Sequence, residues 1–252
     1  MRLKYSFAFV LLLSIVLTAC SAEPQEHIPP DYIKVGGERF SVELTELDLS
    51  EMNLSDEDII PLRYMTNLTW LNLIDNQISD ITPLAGLTNL TSLGLSENPL
   101  KDITLLAGLV NLMELHIYAS QIDDIRVLAD LSNLTLLDFG SNQVSDLTPL
   151  ANLTRLIFLH MDNNQISDIT PLANLTGLAV LEISFNQISD LTPLANLTNL
   201  TWLYLNNNQI VDITTLADLP NFTQDNAILE LNENPISDWS PIEHITNVAG
   251  RP

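Results

Sequence analysis

The chain has 252 residues, of which 46% are hydrophobic and only 6% aromatic, and it carries a formal net charge of −23 with a pI near 4.1. So large an acidic excess repels phosphate backbones and anionic polymers, which excludes nucleic acid as a partner and favours neutral or basic ones. Cys20 is the only cysteine, so no disulfide forms within one copy.

Arg2 and Lys4 precede an apolar run over residues 5–19 that is too short to cross a bilayer comfortably. The run ends in Leu17-Thr18-Ala19-Cys20, which resembles the lipobox of bacterial lipoproteins. That resemblance implies cleavage before Cys20 and acylation of its thiol, with residues 1–19 as a lipoprotein signal peptide. Cleavage would leave seven of the nine basic side chains against 32 acidic ones, a net −25. No second apolar stretch approaches the ~20 residues of a membrane helix and no wall-sorting motif of the LPxTG kind appears, so lipid on Cys20 is the only anchor expected.

Residues 20–31 are polar and proline-bearing, which suits a tether. Residues 32–67 are expected to be an N-terminal cap. Within it, residues 32–42 read as a hairpin around Gly36-Gly37, and residues 44–67 as a degenerate first repeat with Met52 in the place of the usual asparagine.

Leucines then stand at 68, 90, 112, 134, 156, 178 and 200, each 22 residues after the last. Around each runs the phrase L-x-x-L-x-L-x-x-N-x-L, the signature of a leucine-rich-repeat solenoid. Residues 68–221 are therefore seven 22-residue repeats. The predicted fold is an α/β-type solenoid, with a curved parallel sheet on the concave face and short 3₁₀ or helical turns on the convex one. Strand alternation turns coil positions 4 and 6 inward, and nine strands stacked at ~4.8 Å make a sheet about 40 Å along the stack.

Asparagine recurs at coil position 9 (76, 98, 142, 164, 186, 208, 234), where its amide can satisfy backbone groups in the turn. Ser120 replaces one of them and predicts a local weak point. Aspartates 80, 102, 124, 146, 168, 190, 212 and 238 precede the convex turns, placed to cap free N–H groups. Pro83, Pro149, Pro171 and Pro193 suit a first helical turn. The register breaks after Asn221, because Asn208 and Asn234 are 26 apart. Residues 222–252 are read as an irregular last repeat and a C-terminal cap carrying Trp239, with no appended domain expected.

The phrases QISDITPLANLT (165–176) and QISDLTPLANLTNL (187–200) closely resemble the internalin-type leucine-rich repeats of bacterial surface proteins, over residues 44–242. The resemblance implies a cell-envelope location and a concave face that binds proteins. The chain departs from that pattern in lacking an immunoglobulin-like domain after the repeats and in having only eight or nine coils. The many N-x-S/T sequons arise from the repeated NLT phrase and are not read as glycan sites.

Coil positions 3, 5, 7 and 8 project from the concave face and escape the packing rule. Among them Trp70, Tyr118, Phe158, Val180, Phe185, Trp202 and Tyr204 are the candidate partner-binding residues, most of them in the C-terminal half. Large apolar groups exposed together mark interaction sites, and Trp and Tyr are common anchors. A protein or peptide ligand, neutral or basic, is the expected partner; stacking on a sugar ring is the alternative. A second column, His116–Asp138–His160, has residue types that hold zinc. Its histidines lie two strand spacings apart, about 9–10 Å, so a solvated charge ladder is the better reading. Nothing in the chain makes a catalytic constellation or calls for a cofactor. A non-enzymatic monomer is expected, lipid-anchored in a bacterial envelope and facing outside the cytoplasm.

Overall fold

The computed structural model describes residues 30–100 and 102–251, so Cys20 and the lipobox lie outside the described residues. Two strands, β1 (Tyr32–Val35) and β2 (Glu38–Ser41), pair antiparallel. Their turn places Gly36 at φ 55° and Gly37 at φ 86°, the pair of left-handed residues a tight hairpin needs. Ile33 and Val35 are buried against Leu54, Ile59, Leu62 and Met65 and close the core end.

Ten further strands make one parallel sheet: β3 (Glu46–Asp48), β4 (Trp70–Asn72), β5 (Ser92–Gly94), β6 (Glu114–His116), β7 (Leu136–Asp138), β8 (Phe158–His160), β9 (Val180–Glu182), β10 (Trp202–Tyr204), β11 (Ile228–Glu230) and β12 (Val248–Ala249). They stack in chain order. The sheet therefore has one strand more than the repeat pattern predicts. The extra strand β12 belongs to the C-terminal segment and pairs with β11. Gly250 follows it at φ 98°, and a Cβ there would come within 2.6 Å of the Asn232 amide nitrogen.

Each 22-residue coil sends seven side chains inward, among them the strand residues at positions 4 and 6. In the coil from Leu178 they are Leu178, Leu181, Ile183, Ile188, Leu191, Leu194 and Leu197, all 0–2% exposed. At roughly 1.5–3 kcal/mol per fully buried aliphatic side chain, this repeated burial is the main source of stability. Phe139 and Met161 fill one column without disturbing it. At the far end Ile242 and Ile245 are buried and Trp239 packs partly over the core.

The asparagine column forms a hydrogen-bonded ladder. Asn142 accepts from the Ile122 and Ser120 N–H groups at 2.9 and 3.1 Å, and its amide donates to the Ile117 and Phe139 carbonyls at 2.9 Å each. The pattern repeats at Asn98, Asn164, Asn186, Asn208 and Asn234. It weakens at Ser120, whose hydroxyl reaches the Tyr118 carbonyl at 3.1 Å and the Leu95 carbonyl of the preceding coil at only 3.4 Å. The Leu100 N–H turns instead to the Asn98 carbonyl at 2.9 Å, and Pro99 has no N–H to donate.

On the convex side the expected aspartates accept the backbone N–H two residues on, from Thr82, Thr104, Arg126, Thr148, Thr170, Thr192, Thr214 and Ser240, at 2.8–2.9 Å. Each opens a 3₁₀ turn, with proline at its second position in Thr82–Leu84, Thr148–Leu150, Thr170–Leu172 and Thr192–Leu194. Hydrogen bonds from the Arg126 side chain and backbone hold the Asp124 carboxyl down at about 2.

Candidate functional site

Strands β8, β9 and β10 run in register, so Phe158, Val180 and Trp202 form one row and His160, Glu182 and Tyr204 the next. These six residues line a shallow depression of about 340 Å³ on the concave face. Larger depressions lie outside the concave strands, at residues 102–127 (about 590 Å³) and 56–83 (about 480 Å³). Both are lined by turn residues and charges and offer no aromatic surface, and in a third, of about 370 Å³ at residues 30–39, the one aromatic ring, Tyr32, is already covered by Arg39, so the concave depression is the better candidate.

Phe158 and Trp202 are 39% and 42% exposed. Val180 does not project freely as the sequence suggests: it is buried, at 6% exposure. Its short side chain lies between two aromatic neighbours one strand away on either side, so it forms the floor of a slot whose walls are Phe158 and Trp202. The Trp202 indole N–H donates to the Asn226 carbonyl at 3.2 Å, which ties the ring to the four-residue insertion before β11. The wall is thereby held in place before any ligand arrives, and an ordered anchor loses less entropy on binding. Tyr204 is half-buried beside Glu182 and Glu230, and burial raises its phenol pKa ahead of those two charges.

Phe185 is 55% exposed and sits at φ 55°. Every coil holds its position-8 residue in this left-handed region; Asp75, Asn163 and Asn207 tolerate it, Glu97, Ala119, Ser141 and Glu233 do so less well, and phenylalanine is the bulkiest residue of the column. Neither packing nor backbone preference accounts for an exposed, strained aromatic. Phe185→Asn is therefore expected to raise stability by about 0.5–1 kcal/mol. A denaturant midpoint that falls instead would mean that Phe185 packs against the fold.

The rest of the concave face is acidic. Burial pushes the Asp162 carboxyl above its ordinary range, with Asp138 adding to the effect. Burial likewise raises Glu182, whose Oε1 accepts the Ser184 N–H at 2.9 Å; Asp162 and Glu230 raise it further. Gly140 makes room for this crowding, since a Cβ there would meet the Asp162 carboxylate at 2.5 Å and the Tyr118 ring at 3.0 Å. A raised carboxyl pKa means that the folded state disfavours the charge. The Glu182 contribution to stability is thus fully present below the unfolded carboxyl pKa and is lost as pH rises from there through the folded one. Glu182→Gln, which keeps an oxygen for the Ser184 N–H, should be more stable than wild type at neutral pH, with the difference vanishing toward pH 4. Equal melting of the two proteins across that range would contradict the assignment.

The other sequence-predicted residues are dispersed. Trp70 lines a separate depression of about 150 Å³ with Asn72, Ile74, Ser92, Gly94, Glu114 and His116. It is four strand spacings from Phe158, about 19 Å. His116 Nδ1 lies 3.9 Å from Asp138 Oδ2, and Asp138 is in register with His160. Among the described residues no three His, Cys, Asp or Glu side chains are grouped to hold a metal ion. Residue-by-residue reading missed Glu182 as part of the slot and Asn226 as the brace of Trp202. The position-5 column beside the aromatic row was the signal for the first; the insertion held none for the second.

Comparison with known proteins matches a model of leucine-rich repeats at residues 66–108, 132–174, 154–196 and 176–221. Among solved structures, internalin inlF from Listeria monocytogenes is 39% identical with a TM-score of 0.79, over 84% of this chain and 62% of that one. Internalin C2 of the same organism is 36% identical with a TM-score of 0.65, over 84% and 83% of the two chains. The Arabidopsis receptor kinase HAESA, solved with the peptide hormone IDA and the co-receptor SERK1, shares the fold at 22% identity and a TM-score of 0.67, over 77% and 39%. The chain thus spans less than two thirds of inlF's length. No curated protein sequence matches.

Proposed function

The chain belongs to the leucine-rich-repeat family, in its internalin type, and from that premise we propose that it is a lipid-anchored, extracytoplasmic module that binds a protein or peptide through the C-terminal half of its concave face. In this reading residues 1–19 are a signal peptide, Cys20 carries the lipid, residues 20–31 are a tether, and residues 32–67 and 222–252 cap the repeats of 68–221. The module works by recognition, without catalysis or cofactor. The observation that carries the reading is the aromatic pair Phe158 and Trp202, 39% and 42% exposed, which lines one depression of the concave face together with Val180, Glu182 and Tyr204.

Affinity capture with residues 21–252 tests it, with the Trp202→Ala variant as control. The expected result is a protein retained by the wild type and lost by the variant. A partner held equally by both, or a signal on a glycan array in place of a protein, contradicts it. The anchor has its own test: cells fed an alkyne fatty acid should label the wild-type chain, and Cys20→Ala should abolish the label and release the protein from membranes. Label that persists on Cys20→Ala refutes lipidation at that residue.

A further inference from the structure

The concave slot is built for more than apolar contact. Among the described residues no Lys or Arg falls at a concave position of the sheet, whereas Asp138, Asp162, Glu182 and Glu230 all do. Histidines 116 and 160 are the only concave groups there able to carry positive charge. Glu230 is engaged by the Asn206 amide at 2.6 Å, and one oxygen of Glu182 by the Ser184 N–H. Ser184 is the one neighbour among the described residues that donates to Glu182, through its backbone N–H and its hydroxyl, and no cation of the chain pairs with that carboxylate.

Geometry narrows the ligand. The walls of the slot, Phe158 and Trp202, stand two strand spacings apart, about 9.6 Å between backbones. Val180 keeps the floor apolar and low. A flat group entering between two rings, with the Glu182 carboxylate two residues along the strands, meets two π faces and an acceptor together. Guanidinium is planar, weakly hydrated, stacks on aromatic faces and forks onto carboxylates; ammonium satisfies only the charge. The same chain packs Arg39 over the Tyr32 ring at 4.2 Å, so it already uses this contact elsewhere.

We propose that the slot of Phe158, Val180 and Trp202 takes an arginine side chain of the partner, with the Glu182 carboxylate receiving its guanidinium. The proposal rests on the concave-face reading above and specifies what that face reads.

The test uses residues 21–252 and three capped pentapeptides that differ only at the centre: Gly-Gly-Arg-Gly-Gly, its lysine analogue and its citrulline analogue. Citrulline keeps the planar shape and removes the charge. Binding is followed by Trp202 fluorescence and by NMR shifts of the β8–β10 amides. The arginine peptide should bind saturably, about tenfold more tightly than either analogue, and weaken with added salt. Glu182→Gln should lose that preference while melting no lower than wild type, which separates lost recognition from lost folding. Phe158→Ala should also weaken binding about tenfold. Equal binding of arginine and citrulline, or an undiminished preference in Glu182→Gln, overturns the proposal. If no peptide binds but Trp202→Ala still abolishes partner capture, the arginine assignment fails and the concave-face reading stands. If Trp202→Ala leaves capture intact as well, both fail.

Discussion

Asn142→Ala should destabilise the fold by about 3–5 kcal/mol, the largest effect expected of any single polar residue here. Removing the side chain strands the Ile122 and Ser120 N–H groups and the Ile117 carbonyl in a dry turn, while the Phe139 carbonyl keeps only the Asn164 amide at 3.1 Å. Each buried donor or acceptor left unmade costs about 1–3 kcal/mol. The two amide donors cannot turn to another asparagine, because Ser120 already interrupts the ladder on the N-terminal side. In a solenoid each coil is held by its neighbours, so damage here loosens the junction between the two halves. Denaturant unfolding should show a lower midpoint, and thermal unfolding a fall on the order of 10 °C. Asn142→Ala with wild-type stability would mean that these turns are wet and that the ladder contributes little.

Trp202→Ala should cut partner affinity by about 30-fold or more, the threshold of an interface anchor, while changing stability by less than about 1 kcal/mol. The second half of that expectation makes the first informative. The indole is 42% exposed and its N–H donates to the Asn226 carbonyl. Its loss exposes Val180 but opens no enclosed cavity, unlike the loss of a core leucine. If the variant unfolds at markedly lower denaturant, Trp202 belongs to the core and its exposure has no bearing on binding.

The fold was legible in the sequence because one period governs it. Seven leucines at a spacing of 22, with asparagine and aspartate in fixed places behind them, dictate a strand, a turn and a 3₁₀ bend without help from distant residues. The parts that escaped depend on neighbours a coil or more away. Val180 reads as a surface valine, and its burial follows only from Phe158 and Trp202 standing on either side of it. Strand β12 is two residues long and carries no alternation to find. The brace on Trp202 comes from the insertion at 222–227, which has no counterpart in the other coils. Phe185 was legible as an aromatic, but its strain was not. Its column hides the strain, because beside Asp75, Asn163 and Asn207 it also holds Glu97, Ala119, Ser141 and Glu233, which do not signal a left-handed backbone.

The central claim is that the C-terminal half of the concave sheet is the binding surface. Hydrogen exchange of residues 21–252, with and without the captured partner, tests it most directly. The account predicts new protection at residues 158–162, 180–186 and 202–206, with the convex 3₁₀ turns unchanged. Protection confined to the convex turns, or spread evenly along the solenoid, would contradict it.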